Sequence, residues 1–183
     1  MFDRRFQRVV VVGTSCSGKT TFARQLAQAL RFTHIELDAI YWKPNWRERP
    51  VEEFRALVEK AVAGESWVID GNYSKVRDIV WNGATHIIWL NYPFFLVFRR
   101  AIRRTVRRIV FQEELFSGNR ENWRQAFLSR DSILWWVITT HRRRRREYPA
   151  FFKQMGKPHL AFIELRSQRQ ADAFFLALKE RAA

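Results

Sequence analysis

Apolar residues come in short bursts along this 183-residue chain, and their spacing changes from burst to burst. Arg8–Val12 is a β-branched run without alternation, the pattern of a strand buried on both faces. From Lys19 to Leu30 the large apolar residues Phe22, Leu26 and Leu30 fall four apart, which predicts a helix with those residues on its inner face. Thr33–Leu37 reads as a second strand. Pro50–Ala63 reads as a helix with Val51, Phe54, Val58, Ala61 and Val62 on one stripe; Pro50 suits the first helical position and Gly64 the stop. Trp67–Asp70 and Thr85–Leu90 are two more buried strands. Pro93 opens a long helix to about Phe111, with Ile102, Val106, Ile109 and Val110 as its apolar stripe. Gln112–Asn122 is polar, contains Gly118 and Asn119, and reads as a loop. Glu121–Arg146 is expected to be mostly helical with a break near Asp131 and Ser132. Leu160–Leu165 and Gln168–Arg181 give the last strand and the last helix. Strands and helices therefore alternate, which predicts a parallel sheet with helices on both faces.

No repeat, linker or low-complexity stretch divides the chain, so residues 1–183 are read as a single domain. A domain of this size buries about 70% of its unfolded surface and needs no staple. Cys16 is the only cysteine. An internal disulfide is thus impossible, a cytoplasmic location is expected, and no zinc-type spacing exists. The apolar run behind the basic N-terminus, Val9–Val12, is too short for the core of a signal peptide. The longest apolar stretch, Ile87–Phe98, is interrupted by Asn91 and Pro93 and falls short of the roughly 20 residues of a membrane span. A soluble protein without a membrane partner is expected.

Charge changes the picture. The net charge is +15, and residues 99–146 hold 14 arginines and no lysine against Glu113, Glu114, Glu121 and Asp131. Ten of the fifteen charges thus sit in about a quarter of the chain. Arg99, Arg103 and Arg107 form one row of the helix after Pro93, and Arg100, Arg104 and Arg108 the row beside it. Such a segment expects an anionic partner (substrate phosphates, nucleic acid or a membrane surface) or else a solvated face. Arginine rather than lysine favours forked recognition of phosphate.

The segment Gly13-Thr14-Ser15-Cys16-Ser17-Gly18-Lys19-Thr20, followed by Thr21, matches G-x-x-x-x-G-K-[ST] at every fixed position, between a buried strand and an amphipathic helix. Glycines allow the backbone torsions that turn a row of N–H groups inward as an anion nest at a helix N-terminus. Lys19 is placed to reach the β- and γ-phosphates of a nucleoside triphosphate, and the Thr20 hydroxyl to ligate Mg²⁺. MgATP is the expected ligand. Cys16 reads as an ordinary loop residue whose oxidation would block the site.

Strands in such sheets deliver functional residues at their C-terminal ends. Asp70 ends the apolar strand in Trp67-Val68-Ile69-Asp70-Gly71-Asn72-Tyr73, the arrangement that holds Mg²⁺ directly or through water; a turn-forming Asp-Gly is the alternative. Gly71 suits close approach of a ligand. Asp38, in His34-Ile35-Glu36-Leu37-Asp38-Ala39-Ile40-Tyr41-Trp42, either orients or deprotonates an acceptor hydroxyl or caps the next helical turn. Tyr41, Trp42 and Trp46 are candidates for stacking on a flat ligand, with packing as the alternative. His86 and His141 show no partner pattern.

Taken together, the phosphate loop, Leu37-Asp38 with Tyr41-Trp42, and Val68-Ile69-Asp70-Gly71-Asn72-Tyr73 resemble the adenylate-kinase-like P-loop proteins often labelled DNA topology modulation protein, FlaR-related. The resemblance covers nearly the whole chain, including the arginine-rich helix after Pro93 and Leu165-Arg166-Ser167-Gln168-Arg169. It implies a three-layer α/β P-loop fold of nucleoside-monophosphate-kinase type with five parallel strands in the order 2-3-1-4-5. It also implies a short arginine-rich lid at about residues 112–130. Arg166 and Ser167 then belong to an adenine-contacting loop, Asp70 supports Mg²⁺ together with Thr20, and lid arginines, among them Arg120, Arg124 and Arg130, clamp the transferring phosphoryl group. Arg99, Arg103 and members of Arg142–Arg146 are further candidates. The Asp-Gly-Phe-Pro-Arg run of adenylate kinases is replaced by Asp-Gly-Asn-Tyr-Ser, and Asp38 stands where sugar- and shikimate-type kinases hold an acceptor hydroxyl.

The expected chemistry is phosphoryl transfer from MgATP to a small-molecule acceptor, with Lys19, Asp38 and Asp70 in catalytic roles. A nucleic-acid-associated ATPase is the alternative that the charge supports, although no helix-turn-helix, RRM or zinc pattern accompanies it. A nucleotide-binding regulator with little turnover is the other.

Overall fold

In the computed structural model, residues 6–119, 132–155 and 160–180 are described. Val9, Val10, Val11 and Val12 are each at most 1% exposed. They form the centre of strand β1 (Arg8–Gly13). Val9 and Val11 point into one apolar layer with Phe22, Leu26, Val97 and Phe174. Val10 and Val12 point into the other with Phe54, Val58, Trp67, Trp81 and Tyr148. A strand with two buried faces reads as a continuous apolar run, which is why alternation is absent there.

Five parallel strands make the sheet: β1, β2 (Thr33–Glu36), β3 (Trp67–Asp70), β4 (His86–Leu90) and β5 (Ala161–Leu165). Their spatial order is 2-3-1-4-5. Helices cover both faces, so the architecture is the three-layer α/β sandwich expected. Helix α1 (Lys19–Leu30) follows β1 directly. A five-residue helix, α2 (Leu37–Tyr41), follows β2, and α3 (Val51–Ala61) begins just after Pro50. Helix α4 (Arg77–Gly83) lies between β3 and β4. The arginine-rich helix α5 (Phe94–Val110) packs beside α6 (Ile133–Met155), and α7 (Gln168–Lys179) closes the described chain.

Register levels the ends of the strands. Val11 pairs with Asp70 and Glu36 with Asp70, while Gly13 pairs with Leu90 and Leu90 with Leu165. The loops after β1, β2, β3, β4 and β5 therefore open on one edge, where ligands bind in sheets of this kind.

Two elements are additional to those expected, and one expectation is corrected. The segment Arg77–Gly83 is helical. Trp42–Lys43 and Arg47–Glu48 pair as a small antiparallel hairpin outside the main sheet. Helix α6 does not stop at Arg146 but continues through Pro149 to Met155. There Tyr148 and Phe152 pack edge-on and stacked against Trp81, and both also contact Trp89. Aromatic burial outweighs the backbone hydrogen bond that Pro149 removes. The break expected near Asp131 and Ser132 falls at the edge of residues 120–131, which lie outside the described part. Among the described residues no helix is long and apolar enough to cross a membrane.

Candidate functional site

The turn Gly13–Gly18 sits where the central strand meets α1. At Gly13 the chain cannot carry a side chain: a Cβ there would lie 2.8 Å from the Leu90 carbonyl oxygen and 2.8 Å from Ser17 Oγ. Three side chains from distant elements fix the turn. Asn72 Nδ2 donates to the Gly13 carbonyl at 2.5 Å, and the Gly13 N–H donates to Asn72 Oδ1 at 3.3 Å. Arg144 Nη1 donates to the same carbonyl at 3.1 Å. Arg100 Nη1 donates to the Ser17 carbonyl at 3.1 Å, while its Nη2 donates to Gln168 Oε1 at 2.8 Å. Arg100 thus ties the phosphate loop to the turn after β5.

The loop concentrates positive charge. Lys19 Nζ donates to the Thr14 carbonyl at 3.1 Å. Burial lowers the Lys19 pKa to about 8, the Arg144 guanidinium adds to the drop, and Asp70 and Asp38 oppose it. Burial likewise lowers the pKa of Arg144, which is 7% exposed. Neither cation forms an ion pair with a carboxylate among the described residues. Two cations pressed together in a site of low polarity are stabilised by an anion. Ser17 Oγ is buried with no hydrogen-bond partner, as expected of a donor waiting for a phosphate oxygen.

Thr20 and Asp70 meet beside this loop. Thr20 Oγ1 donates to Asp70 Oδ1 at 2.9 Å and lies 3.3 Å from Glu36 Oε1. His34 Nε2 lies 2.8 Å from Asp70 Oδ2. A hydroxyl and a carboxylate in contact fit Mg²⁺, which takes few protein ligands and completes its shell with phosphate oxygens and water. Among the described residues there is no group of three His, Cys, Asp or Glu side chains that would hold a metal alone. Glu36 is an additional carboxylate; burial, with Asp70 and Asp38 nearby, raises its pKa. Its position at the end of β2 was readable, but its closeness to Asp70 depends on the register between the two strands.

Asp38 does not cap α2: no side chain caps that helix. Instead Tyr73 Oη donates to Asp38 Oδ1 at 2.6 Å. Burial of Tyr73, then the Asp38 carboxylate beside it and the hydrogen bond between them, raise the Tyr73 pKa. At Gly71 a Cβ, at its φ of +139°, would come within 2.7 Å of Leu37 Cβ. Glycine there lets the start of α2 press against the end of β3. Tyr41 is buried in ring contacts with Trp42, Phe54 and Tyr73, so it packs rather than stacks on a ligand. Trp42 and Trp46 meet edge-on. The hairpin that carries them is joined to the end of the loop after α5: the Trp46 N–H donates to Asn119 Oδ1 at 2.8 Å, Asn119 Nδ2 to the Lys43 carbonyl at 3.0 Å, and Ser117 Oγ to the Trp42 carbonyl at 2.8 Å.

The remaining candidates divide. Thr14, Cys16 and Ser17 are buried in the loop, Ser15, Gly18 and Thr20 are half-buried, and Thr21 is exposed on the first turn of α1. Ser167 caps α7, accepting from the Gln170 N–H at 3.2 Å, and Arg166 Nη2 donates to Glu164 Oε2 at 2.9 Å. Arg120, Arg124 and Arg130 lie outside the described residues, as does most of the expected lid. Arg99 and Arg103 are exposed on α5; Arg100, in the neighbouring row, reaches the loop. Of Arg142–Arg146 only Arg144 turns inward. His86 stacks on Phe6 at 3.9 Å, and His141 Nε2 lies 3.0 Å from the Tyr92 carbonyl; both are structural contacts.

Residues 9–163 match a family model described as an AAA domain. The chain belongs to that AAA-domain family. A shikimate kinase of Thermosynechococcus vestitus is 28% identical over 122 residues, which is 58% of this chain and 65% of that protein. The chain thus spans just under two thirds of this relative's length. The Bacillus subtilis protein YqaC is 25% identical over 129 residues, 69% of this chain and 72% of its own. Among solved structures, a gluconokinase from Sinorhizobium meliloti superposes with a TM-score of 0.52 at 18% identity, covering 98% of this chain and 97% of its own. A shikimate kinase from Bacteroides thetaiotaomicron gives 0.55 at 17% identity, covering 96% and 98%. These likenesses give the AAA-domain protein the fold of small-molecule P-loop kinases.

Proposed function

We propose that this protein transfers the γ-phosphoryl group of MgATP to a small acceptor bearing a hydroxyl. The observation that carries the reading is the pairing of two chemistries at one sheet edge. On one side stand a phosphate loop with the unpaired cations Lys19 and Arg144 and the Thr20–Asp70 contact. On the other stands Asp38, oriented by Tyr73. The names of the shikimate kinase and gluconokinase relatives support a hydroxylated metabolite as acceptor. The pair of motifs around Asp38 and Asp70 supports placement in the FlaR-related group; the label of DNA topology modulation has no counterpart in the site.

Phosphoryl transfer needs positioning and charge stabilisation more than covalent help. Loop amides and Lys19 bind the β- and γ-phosphates, and Arg144 adds a forked donor beside them. Thr20 and Asp70 are the residues that would hold Mg²⁺, which when bound neutralises phosphate charge. Asp38 accepts the acceptor's hydroxyl proton as the oxygen attacks phosphorus and the bond to the ADP oxygen breaks. Arg120, Arg124 and Arg130 close over the transferring group, and Arg166 and Ser167 border the adenine, with Arg100 fixing the turn that follows them.

ADP release with hydroxylated acceptors tests the reading. Full acceptor-dependent turnover in Asp38→Asn would remove the base role. The exposed Arg142, Arg143, Arg145 and Arg146, with exposed Trp135 and Trp136 on the same helix, favour a second reading, a nucleic-acid-associated ATPase. Binding should then fall steeply with salt; affinity at physiological salt weaker than the roughly 10⁻⁴–10⁻⁶ M non-specific range removes that reading.

A further inference from the structure

The hairpin after α2 is too small to hold its own shape. Trp42–Lys43 and Arg47–Glu48 give it two residues a strand, well short of a self-supporting ribbon. Its tip is also bent in an unfavourable sense. Asn45 and Trp46 stand at φ of +61° and +54°, left-handed torsions that a bulky side chain such as tryptophan rarely adopts. The turn that touches this tip, Phe116–Gly118, is left-handed in the same way, at +57° for Ser117 and +74° for Gly118. Backbone of this kind persists where its surroundings fix it.

Asn119, which is buried, does the fixing. Its Oδ1 accepts from the Trp46 N–H at 2.8 Å, and its Nδ2 donates to the Lys43 carbonyl at 3.0 Å and to the Phe116 carbonyl at 2.7 Å. Both amide hydrogens and the oxygen are thus spent inside the protein rather than on a ligand. The base of the hairpin is tied to α2 instead, where Arg49 donates from its N–H to the Tyr41 carbonyl at 3.0 Å and from its Nε to the Ile40 carbonyl at 2.6 Å. From the tip a row of rings leads to Asp38. Trp46 meets Trp42 at 5.5 Å, Trp42 meets Tyr41 at 5.1 Å, and Tyr41 meets Tyr73 at 4.5 Å. The Tyr73 hydroxyl ends the row at Asp38 Oδ1, 2.6 Å away. Phe54, fully buried, packs edge-on against Tyr41 and Tyr73 at 5.0 and 5.2 Å and closes the row on the core side. Its other end is Trp46, the residue that Asn119 holds.

We propose that Asn119 is a positioning residue for Asp38: it holds the hairpin tip, and through Trp46, Trp42, Tyr41 and Tyr73 it fixes where the carboxylate stands. The consequence for turnover rests on the kinase reading; the mechanical coupling stands on the contacts alone. A carboxylate set through packed rings loses its placement, not its charge, when the tip is released. Turnover then falls while the phosphate loop, built from other residues, keeps its nucleotide.

The test compares the whole protein with Asn119→Ala in two measurements. Amide hydrogen exchange should quicken across residues 37–48 and stay unchanged across residues 13–20. Acceptor-dependent kcat should fall about three- to tenfold, no further than in Tyr73→Phe, with MgADP affinity unchanged. Asn119→Asp, which keeps the acceptor for the Trp46 N–H and loses the donors, should fall between. In an Asp38→Asn background the same Asn119→Ala change should have no further effect on turnover, because the group it places is gone. If Asn119→Ala does not fold, Ser117→Ala, which removes the 2.8 Å bond to the Trp42 carbonyl, supplies the comparison with a smaller loss. Faster exchange confined to residues 115–119, or an equal loss of turnover with and without Asp38, overturns the proposal. If no acceptor stimulates the unaltered protein, the kinase reading falls instead, and exchange across residues 37–48 still decides the coupling.

Discussion

The two sides of the strand ends are built by different means. The phosphate side is made of consecutive residues, Gly13 to Thr20, shaped by their own backbone and clamped from outside by Asn72, Arg100 and Arg144. The proposed acceptor side has no such continuity. Asp38 lies on a five-residue helix, Tyr73 after β3 and Asn119 after α5. A phosphate chain is the same in every nucleotide, so a contiguous loop serves it. An acceptor differs from enzyme to enzyme, and scattered side chains on short elements can be exchanged without disturbing the loop.

The largest effects should come from the contiguous side. Lys19→Ala removes the donor proposed for the β- and γ-phosphates and should lower turnover by about two to three orders of magnitude. A tenfold loss or less in kcat, read from ADP release, would show that the loop amides alone suffice. Asp38→Asn should cost about two to four orders of magnitude in acceptor-dependent turnover while MgADP affinity stays unchanged. Equal loss of nucleotide affinity would merge the two sides into one unit.

Arg144 separates function from stability. Arg144→Met removes a buried cation with no carboxylate partner among the described residues. Nucleotide affinity should fall about tenfold, while the melting temperature of the ligand-free protein rises by roughly 2–4 °C, the equivalent of about 1 kcal/mol in a chain of this size. A lowered melting temperature would mean that the Gly13 contact outweighs the burial of charge. Arg143→Met, on the exposed face one residue away, should change neither.

Acidity gives a smaller effect. The Lys19 pKa is lowered to about 8, so the free site loses charge above that pH. Bound phosphates favour the charged form and raise it again. Nucleotide affinity should therefore be constant below about pH 8 and weaken above it, with proton uptake on binding in the upper range. For folding of the ligand-free protein the sign is opposite: the unfolded lysine titrates near the ordinary lysine value of 10.5, so this group's contribution to stability improves as pH rises from about 8 towards that value. Calorimetry in buffers of different ionisation enthalpy reads the uptake; its absence at pH 9 would show that Lys19 is not the phosphate-binding cation. Tyr73→Phe, which frees Asp38 without removing it, should reduce turnover only severalfold and leave nucleotide affinity intact.

Legibility in the sequence follows the same division. The boundaries of α1 and β3 are those expected, because a continuous apolar run and a fixed motif are local signals. Helices α2 and α4 escape because five and seven residues are too short to show a 3.6-residue period. Arg144 carried a signal that went unused: Val137, Thr140, His141, Arg144 and Tyr148 are all buried at spacings of three or four, so one arginine of the run occupies the inner stripe of α6. Asn72 and Glu36 had no such local mark. Their roles appear only when strand register brings Gly13, Glu36 and Asp70 to one edge. Asp38 was legible as a candidate, but its partner Tyr73, 35 residues away, was not.

The most direct test of the account is ADP release from MgATP with a panel of nucleosides, nucleoside monophosphates and small hydroxylated metabolites, run beside Lys19→Ala. The account predicts that one hydroxyl-bearing class raises ADP release well above the acceptor-free rate and that Lys19→Ala abolishes the rise. Release that stays at the acceptor-free rate across the panel, or rises only when DNA or RNA is added, would contradict it.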